Sequence, residues 1–212
     1  MNELVLAPWF ASLGPALADP GEVQVQELIA EAQRGDDRAT RELYRLHVAR
    51  LFRAMRSLCR SDADAEDATQ EAFLRGFRAL ATYRPRPGAR FSSWLLAIAL
   101  NVVRRRARAE ARVELDPDAG LRAEAEGADD PLGDALDLAR RKAALLAALE
   151  TLSPRAREVV SLRYGAELSA AEVANATGLS EPNVRKICER ARKCLLEALE
   201  PRAQGTAAGG AP

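Results

Sequence analysis

Two short stretches of the chain concentrate positive charge and could bind a polyanion. Residues 104–112 carry five arginines against one acid, and residues 185–193 carry five cations against one acid. Cationic clusters of this kind neutralise the phosphates of nucleic acids. Charge alone fits two solvated helix faces equally well, so both interpretations stay open at this point. To choose between the two interpretations, we identify the helices that carry these cations.

The sequence offers no pattern for catalysis or for metal binding. His47 is the only histidine, and its place in an apolar helical stretch predicts a packing residue. Cys59, Cys188 and Cys194 have no metal-ligand spacing and are odd in number, as expected of a reduced cytoplasmic protein. No Ser/His/Asp set, glycine-rich phosphate loop or carboxylate pair stands out. We therefore expect no catalytic residue, no metal, no cofactor and no small-molecule substrate.

The composition indicates a soluble helical protein with one or two small cores. It is 48% hydrophobic, 5% aromatic and 29% charged, and its apolar residues are mostly the helix formers Ala and Leu. The apolar run at residues 4–10 is interrupted by Pro8 and preceded by Glu3, which makes it a poor signal peptide. No stretch approaches the roughly 18 apolar residues of a membrane span. We expect a cytoplasmic protein without direct membrane insertion.

The first part of the chain reads as four helices. Apolar side chains recur at intervals of three and four, and caps such as Asp36 and Ser61 mark the starts. Two prolines and a glycine between Tyr83 and Arg90 predict a loop, after which Ser92 is placed to cap the fourth helix. The predicted helices lie at 24–34, about 37–59, 61–80 and 93–112.

An acidic segment separates these helices from a second helical group. Residues 114–137 hold nine acids and one cation together with prolines and glycines, a linker composition. Four more helices follow, at 137–150, 154–163, 170–176 and 181–199. The predicted fold class is all-α, with two small helical domains joined by a flexible acidic linker. The predicted divisions are a flexible or loosely docked N-terminal arm (1–23), a first domain (24–112), the linker (113–136), a second domain (137–200) and a disordered tail (201–212).

Residues 170–190 have the spacing of a helix-turn-helix, whose second helix enters the DNA major groove. Ala174 stands where two helices must cross closely, and Gly178 stands in the turn. Four residues complete the predicted core of the motif: Val173, Leu179, Val184 and Ile187. The outward residues of the second helix are candidates for base and phosphate contacts: Glu181, Asn183, Arg185, Lys186, Glu189, Arg190, Arg192 and Lys193. A helical hairpin with a purely structural role is the alternative, which the cationic face disfavours.

Three segments resemble conserved regions of the sigma-70 family. Residues 64–80 (DAEDATQEAFLRGFRAL) resemble region 2.2, and residues 91–101 (FSSWLLAIALN) resemble region 2.4. Residues 152–160 (LSPRAREVV), followed by the helix-turn-helix, resemble region 4. The sequence shows no region 1.1 and no long region 3, and in this respect it resembles the extracytoplasmic-function (ECF) group. The resemblance implies an RNA polymerase sigma factor that recognises promoter −10 and −35 elements.

Position by position, the resemblance implies three contact surfaces. Four residues would dock on the clamp helices of the polymerase β′ subunit, and without the resemblance they are only an exposed acidic face: Asp64, Asp67, Gln70 and Glu71. Seven residues would meet the −10 element, where a base is extruded into a pocket: Tyr83, Arg84, Arg86, Arg90, Asn101, Arg104 and Arg105. Tyr83 would stack on a base, whereas Phe91 and Trp94 fit the apolar stripe and are expected in the core. The outward face of the second motif helix would meet the −35 element.

The implied partners are core RNA polymerase, through its β′ and β subunits, promoter DNA and an anti-sigma factor. The main alternative is a sigma-like protein-interaction module that binds an anti-sigma factor without engaging DNA. Such a module would have lost its basic faces, and this chain keeps both. A dimeric helix-turn-helix repressor would explain residues 137–199 but would leave the first domain without a role.

Overall fold

The structure, a computed structural model, describes residues 6–13, 21–85, 90–113 and 134–199. Within these ranges all regular structure is helical, which confirms the predicted all-α fold. No helix there is long and apolar enough to cross a membrane. The α-helices in chain order are α1 (Ala7–Ala11), α2 (Glu22–Gln33), α3 (Asp37–Arg56), α4 (Asp62–Ala79), α5 (Phe91–Val113), α6 (Asp134–Glu150), α7 (Pro154–Val160), α8 (Ala170–Thr177) and α9 (Glu181–Leu199).

Helices α2 to α5 form the first domain around a core of leucines, alanines and aromatic rings. Gly35, with φ of 93°, ends the turn after α2, and the side chain of Asp36 then accepts hydrogen bonds from the first backbone N–H groups of α3. Below this cap, α3 packs against α4 and α5. The core residues contributed by these three helices include Leu43, Leu51, Met55, Ala65, Ala68, Ala72, Phe73, Leu95, Leu96 and Leu100.

Helices α4 and α5 approach closely at Gly76. A Cβ atom at this position would lie 2.7 Å from Cδ1 of Leu95, a side chain that is fully buried. Gly76→Ala should destabilise the protein by about 1 kcal/mol, because overpacking costs about 1–3 kcal/mol and the gain in helix propensity offsets part of it. Urea unfolding measures the change. In a Leu95→Ala background the same substitution should cost nothing, and an equal cost there would contradict the steric explanation.

Helices α6 to α9 form the second domain, and local side chains set their ends. Ser153 accepts a hydrogen bond from the N–H of Ala156, so α7 begins at the proline between them. Ser169 and Glu172 form a reciprocal capping box at the start of α8. Gly178 ends α8 in the left-handed conformation, with φ of 72°. The chain therefore turns sharply into α9.

Two of the helix ends that differ from the predictions have a clear physical reason. The helix predicted at 154–163 stops being α-helical at Val160 and continues as a π-helical turn, Ser161–Gly165. This turn packs on α3 so closely that a Cβ at Gly165 would lie 3.4 Å from the carbonyl oxygen of Arg53, a contact between domains that local sequence does not reveal. Ser92 is not a cap, because the N–H groups of residues 93 and 94 already bond to the carbonyl of Arg90 and α5 begins before Ser92.

Residues 6–13 of the predicted N-terminal arm are docked in this structure. This segment contains α1, which contacts α6 and the π-helical turn, and its side chains join the apolar cluster of the second domain. Leu6 and Phe10 are completely buried, and Leu13 is 2% exposed. Apolar side chains at these positions fill an apolar groove, which outweighs the entropy of a free chain end. The centre of the predicted linker (114–133) and the predicted tail (201–212) lie outside the described residues.

Candidate nucleic-acid interface

Helix α9 presents a polar face to solvent and an apolar face to the second domain. Its buried side consists of Val184, Cys188, Ala191, Leu195 and Leu199. The eight residues predicted to meet DNA all lie outside this stripe: Asn183, Arg185, Lys186, Glu189, Arg190 and Lys193 are exposed, and Glu181 and Arg192 are partly exposed. Two ion pairs link consecutive turns of this face, Arg185 with Glu181 and Lys193 with Glu189.

The core predicted for the helix-turn-helix is present. Val173 of α8 and Val184 of α9 are fully buried. Ala174, Leu179 and Ile187 are partly buried and pack against the same core. These contacts fix the angle between α8 and α9, so the polar face of α9 points away from the domain. A helix held in this way can enter a DNA major groove with its N-terminal half leading.

The predicted −10 residues of α5 fall into two environments. Asn101 and Arg105 are exposed and can reach a ligand directly. Arg104 is partly buried, and its guanidinium donates two hydrogen bonds to the carboxylate of Glu158 in the second domain: Nε to Oε1 at 2.7 Å and Nη2 to Oε2 at 2.6 Å. A bidentate pair of this geometry is the arrangement an arginine also makes with a phosphate. Glu158 therefore occupies the donors that Arg104 would offer to DNA.

Two of the predicted −10 residues in the loop before α5 are exposed and also contact other groups of the protein. Arg84 is exposed and donates to the backbone carbonyl of Ala81 at 3.0 Å. Arg90 is exposed, and its Nε lies 3.5 Å from a carboxylate oxygen of Glu172. Arg86 lies outside the described residues. In this conformation Arg90, like Arg104, faces a carboxylate of the second domain.

Tyr83 is not available to stack on a base in this conformation. Its side chain is 7% exposed and packs against the rings of Phe91 and Trp94, with centroid distances of 5.5 and 4.7 Å. Burial raises the pKa of its hydroxyl. The predicted base-stacking role of Tyr83 is therefore replaced by a core role, because the aromatic cluster at the start of α5 closes over it. Phe91, 1% exposed, and Trp94 belong to the same core, as expected.

The two domains pack against each other along a surface that we call the interdomain seam. In it, α3 and α5 of the first domain meet α7, the π-helical turn and α8 of the second. Besides the Arg104–Glu158 pair, the hydrogen bonds across the seam include Arg50 Nη1 to the carbonyl oxygen of Ala166 at 2.8 Å, Arg53 Nη1 to Glu167 Oε1 at 3.2 Å, and Ser93 Oγ to Glu172 Oε1 at 3.0 Å. In each of these the first domain supplies the donor, whereas a further interdomain bond, from Lys142 Nζ in α6 to Asp62 Oδ2 in α4 at 2.6 Å, has the opposite direction.

Electrostatics hold the seam glutamates in their charged form. Burial raises the pKa of Glu158, but hydrogen bonds and charge from Arg104 and Arg155 outweigh burial and leave the pKa below its usual value. The pKa of Glu172 is likewise lowered, because bonds from Ser169 and Ser93 and the charge of Arg90 outweigh its burial. Both carboxylates are therefore anionic at neutral pH and compete with phosphates for first-domain cations.

The predicted polymerase-docking residues lie on one face of α4 but differ in their availability. Asp64, Asp67 and Gln70 are exposed. Glu71 is partly buried between the guanidinium groups of Arg75 and Arg106. Burial raises the pKa of Glu71, but the hydrogen bonds from these two arginines and their charges outweigh burial, so the net pKa is below the usual value. Three of the four residues thus form an open acidic surface.

The described residues contain no cluster of His, Cys, Asp and Glu that could hold a metal ion. Cys59 is partly buried, and burial raises the pKa of its thiol to about 11. Cys188 lies in the helix-turn-helix core, and Cys194 is exposed on α9. His47 is 3% exposed and packs on Phe91, with a ring distance of 5.2 Å.

Sequence reasoning missed the carboxylates of the seam. The local sequence assigns no functional role to Glu158, Glu167 or Glu172. The available signal was weak: Glu158 follows Arg155 on an exposed-looking turn, and nothing local says that Arg104, 54 positions away, is its partner. The second role of Glu172, toward Ser93 of the first domain, likewise depends on tertiary contact.

Both domains match the models of known protein families. Residues 43–113 match the model of Sigma-70 region 2, and residues 148–197 match that of Sigma-70, region 4. The fold and the order of the two regions are thus those of the sigma-70 family. The solved structure of CnrH in complex with the cytosolic domain of CnrY is similar, with a TM-score of 0.62 and 28% identity over 85% of this chain and 99% of that one.

Characterised relatives narrow the assignment to one group. The ECF RNA polymerase sigma factor BldN of Streptomyces coelicolor is 31% identical over 86% of this chain and 68% of its own length. The RNA polymerase sigma factor CnrH of Cupriavidus metallidurans is 33% identical over 82% of this chain and 93% of its own length. The chain therefore belongs to the ECF RNA polymerase sigma factors.

Proposed function

We propose that this protein directs transcription initiation by binding core RNA polymerase and contacting promoter DNA with both domains. The first domain recognises the −10 element and the second recognises the −35 element. The protein itself catalyses no reaction, and it works in the cytoplasm beside the polymerase. The observation that carries the proposal is the solvent-facing cationic side of α9, held outward by a complete helix-turn-helix core.

Recognition of the −35 element uses the exposed N-terminal half of α9. Asn183, Arg185 and Lys186 occupy its first turns, where side chains of a recognition helix reach base edges. Arg190, Arg192 and Lys193 lie further along and contact phosphates. Glu181 and Glu189 orient Arg185 and Lys193 through their ion pairs.

Recognition of the −10 element uses the exposed side of α5. Asn101 and Arg105 are available in the observed conformation. Arg90 and Arg104 join them once the seam carboxylates Glu172 and Glu158 have withdrawn. Opening of the seam is therefore part of promoter binding in this proposal, and the bidentate geometry of Arg104 transfers from a carboxylate to a phosphate.

Two protein partners follow from the family. The open acidic surface of Asp64, Asp67 and Gln70 docks on the β′ clamp helices of core polymerase, and the second domain meets the β subunit. CnrH was solved with the cytosolic domain of CnrY, and a further structure of the same fold, RpoE of Bartonella quintana, was solved with the anti-sigma factor NepR. We include an anti-sigma factor among the partners of this chain on the strength of the CnrH similarity.

In vitro transcription tests the proposal directly. Purified protein is added to purified core polymerase with a library of promoter fragments, and the transcripts are sequenced. We expect initiation from a subset of fragments that share one −10 and one −35 sequence. The double variant Arg185→Glu/Lys186→Glu, altered only at exposed positions, should bind core polymerase and lose this initiation. Wild-type protein that binds core polymerase yet starts no transcript would overturn the proposal and favour a protein-interaction module.

Arg185→Ala should change which −35 sequences are used. One base-edge contact contributes about 1–3 kcal/mol of discrimination, so the ranking of promoters should change, with individual ratios shifting by roughly 5- to 150-fold. Lys193→Ala is the matched control, because each of these cations pairs with a glutamate one turn earlier. The Lys193→Ala substitution should reduce initiation from all promoters by a similar factor. If Arg185→Ala also scaled every promoter equally, Arg185 would be a phosphate contact.

A further inference from the structure

The N-terminal segment of the chain completes the core of the C-terminal domain. Leu6, Phe10 and Leu13 belong to one apolar cluster with buried residues of the second domain, and α1 contacts α6 and the π-helical turn directly. We call the site of α1 in this cluster the groove; the second-domain members of the cluster include Leu145, Leu149, Val160, Leu195 and Leu199. This apolar cluster contains second-domain and N-terminal residues and, within the described chain, no residue of α2 to α5. The segment that precedes the first domain therefore packs with the domain that follows it.

The site at which α1 packs on the second domain lies next to the interdomain seam. The ring of Phe10 lies 5.8 Å from that of Tyr164 in the π-helical turn. A Cβ at Gly165 of the same turn would lie 3.5 Å from Phe10 and 3.4 Å from the backbone of Arg53 in α3. The N-terminal segment, the second domain and the first domain thus meet around one residue. The contact between α1 and the second domain is therefore adjacent to the contact between the two domains.

The covalent connection of α1 to the first domain is short. Eight peptide steps separate Leu13 from Gly21, and a chain spans at most about 3.5 Å per residue, so the two are never more than about 28 Å apart. Helix α2, which starts at Glu22, is anchored in the first domain through Val25 and Ile29. The other connection, from Val113 to Asp134, has 21 steps and a reach of about 73 Å. A docked α1 therefore shortens the tether between the domains by more than half.

We propose that residues 6–13 act as an intramolecular strap, which binds the groove of the second domain and keeps that domain closed over the first. Because the closed seam holds Arg104 on Glu158, the strap also lowers the affinity of the free protein for DNA, a consequence that rests on the proposed function. The strap is apolar, whereas the seam combines ion pairs with apolar contacts, because one cluster of buried side chains includes residues of both domains. Salt therefore weakens the ion pairs of the seam and leaves the strap in place.

Two variants separate strapping from simple completion of the core. Phe10→Asp puts a charge into the groove and should release α1. Inserting ten Gly/Ser residues between Gly14 and Pro15 leaves the groove filled and lengthens the tether to about 63 Å. Ala11→Asp, at an exposed position of the same short helix, is the matched control. Circular dichroism checks that all three retain wild-type helix content.

Small-angle X-ray scattering of the full chain measures closure without reference to DNA. A compact chain of this length has a radius of gyration of about 17 Å. We expect wild type and Ala11→Asp to stay near that value at low and high salt. The insertion variant and Phe10→Asp should expand by several ångströms, most clearly at about 1 M salt, where seam ion pairs are screened. An insertion variant as compact as wild type at both salt concentrations would overturn the strap.

Binding of a promoter fragment at low salt then tests the consequence for DNA. The expanded variants should bind roughly tenfold more tightly than wild type, and Ala11→Asp should match wild type. Expansion accompanied by unchanged DNA affinity would uphold the strap and count against the −10 assignment of Arg104. Compactness accompanied by raised DNA affinity would count against the strap alone. The two ideas can thus fail separately.

Discussion

Asp67→Lys should weaken binding of the protein to core RNA polymerase by roughly 30- to 150-fold in Kd. Asp67 is exposed near the middle of the open acidic surface of α4, and a like-charge juxtaposition at an interface costs about 2–3 kcal/mol or more. Its exposure also means that the substitution leaves the core of the first domain intact. Fluorescence anisotropy with labelled protein and purified core polymerase gives the affinity.

The choice of Asp67 over Glu71 follows from the structure. Glu71 sits between Arg75 and Arg106, so Glu71→Lys would place three cations together and disturb α4 and α5 as well as any docking surface. Glu27→Lys is the control: it makes the same charge change at an exposed site within α2 and should bind core polymerase normally. Equal losses for Asp67→Lys and Glu27→Lys would show a general charge effect and remove the docking assignment.

The features predicted correctly from sequence are the ones that a few neighbouring residues determine. The Asp36 cap, the Ser61 cap and the turn at Gly178 each depend on contacts within about four positions. Helix periodicity likewise shows which face of α9 is buried, because the buried side chains must repeat with the helix turn. For that reason the eight candidate residues of this helix lie together on its outer side.

The features that sequence reasoning missed depend on residues far apart in the chain. Periodicity says that an apolar face must be covered, and it does not say by what. Local sequence predicts an arm that is flexible or loosely docked and cannot show where Phe10 packs, because the apolar residues that surround it lie more than 130 positions later in the chain. Tyr83 was placed on DNA because its loop position hides the aromatic cluster formed with Phe91 and Trp94.

The two proposed DNA-binding surfaces differ in their exposure in the closed arrangement. The proposed −35 face of α9 is open, whereas the proposed −10 face of α5 is partly covered by Glu158 and Glu172. A conformation with one surface available and the other masked permits initial contact through α9 alone. Binding of DNA along the whole exposed side of α5 requires free energy to open the seam. In the proposed function, docking of Asp67 and its neighbours on core polymerase supplies that free energy by favouring the open form.

Acidification from pH 7 to pH 5 should cost the folded protein about 2 kcal/mol through His47 alone. The imidazole is buried, neither of its nitrogens has a hydrogen-bond partner in the described residues, and the cavity beside it is lined by Arg50, Arg90 and Glu22. Burial, and then the charge of Arg50, lowers the pKa of His47 to about 4. Unfolded His47 titrates near pH 6.5, so the unfolded state takes up a proton first and stability falls as pH drops below 6.5.

Urea unfolding at pH 7, 6 and 5 separates this effect from the carboxylates. The lowered pKa values of Glu71, Glu158 and Glu172 cause loss of stability only below about pH 4.5, outside this window. Because His47 is the only histidine, His47→Leu should make stability nearly constant between pH 7 and pH 5. A wild-type protein equally stable at both ends of the range would mean that the imidazole is charged, or able to become charged, inside the fold. A slope that persists in His47→Leu would assign the pH dependence to a different group.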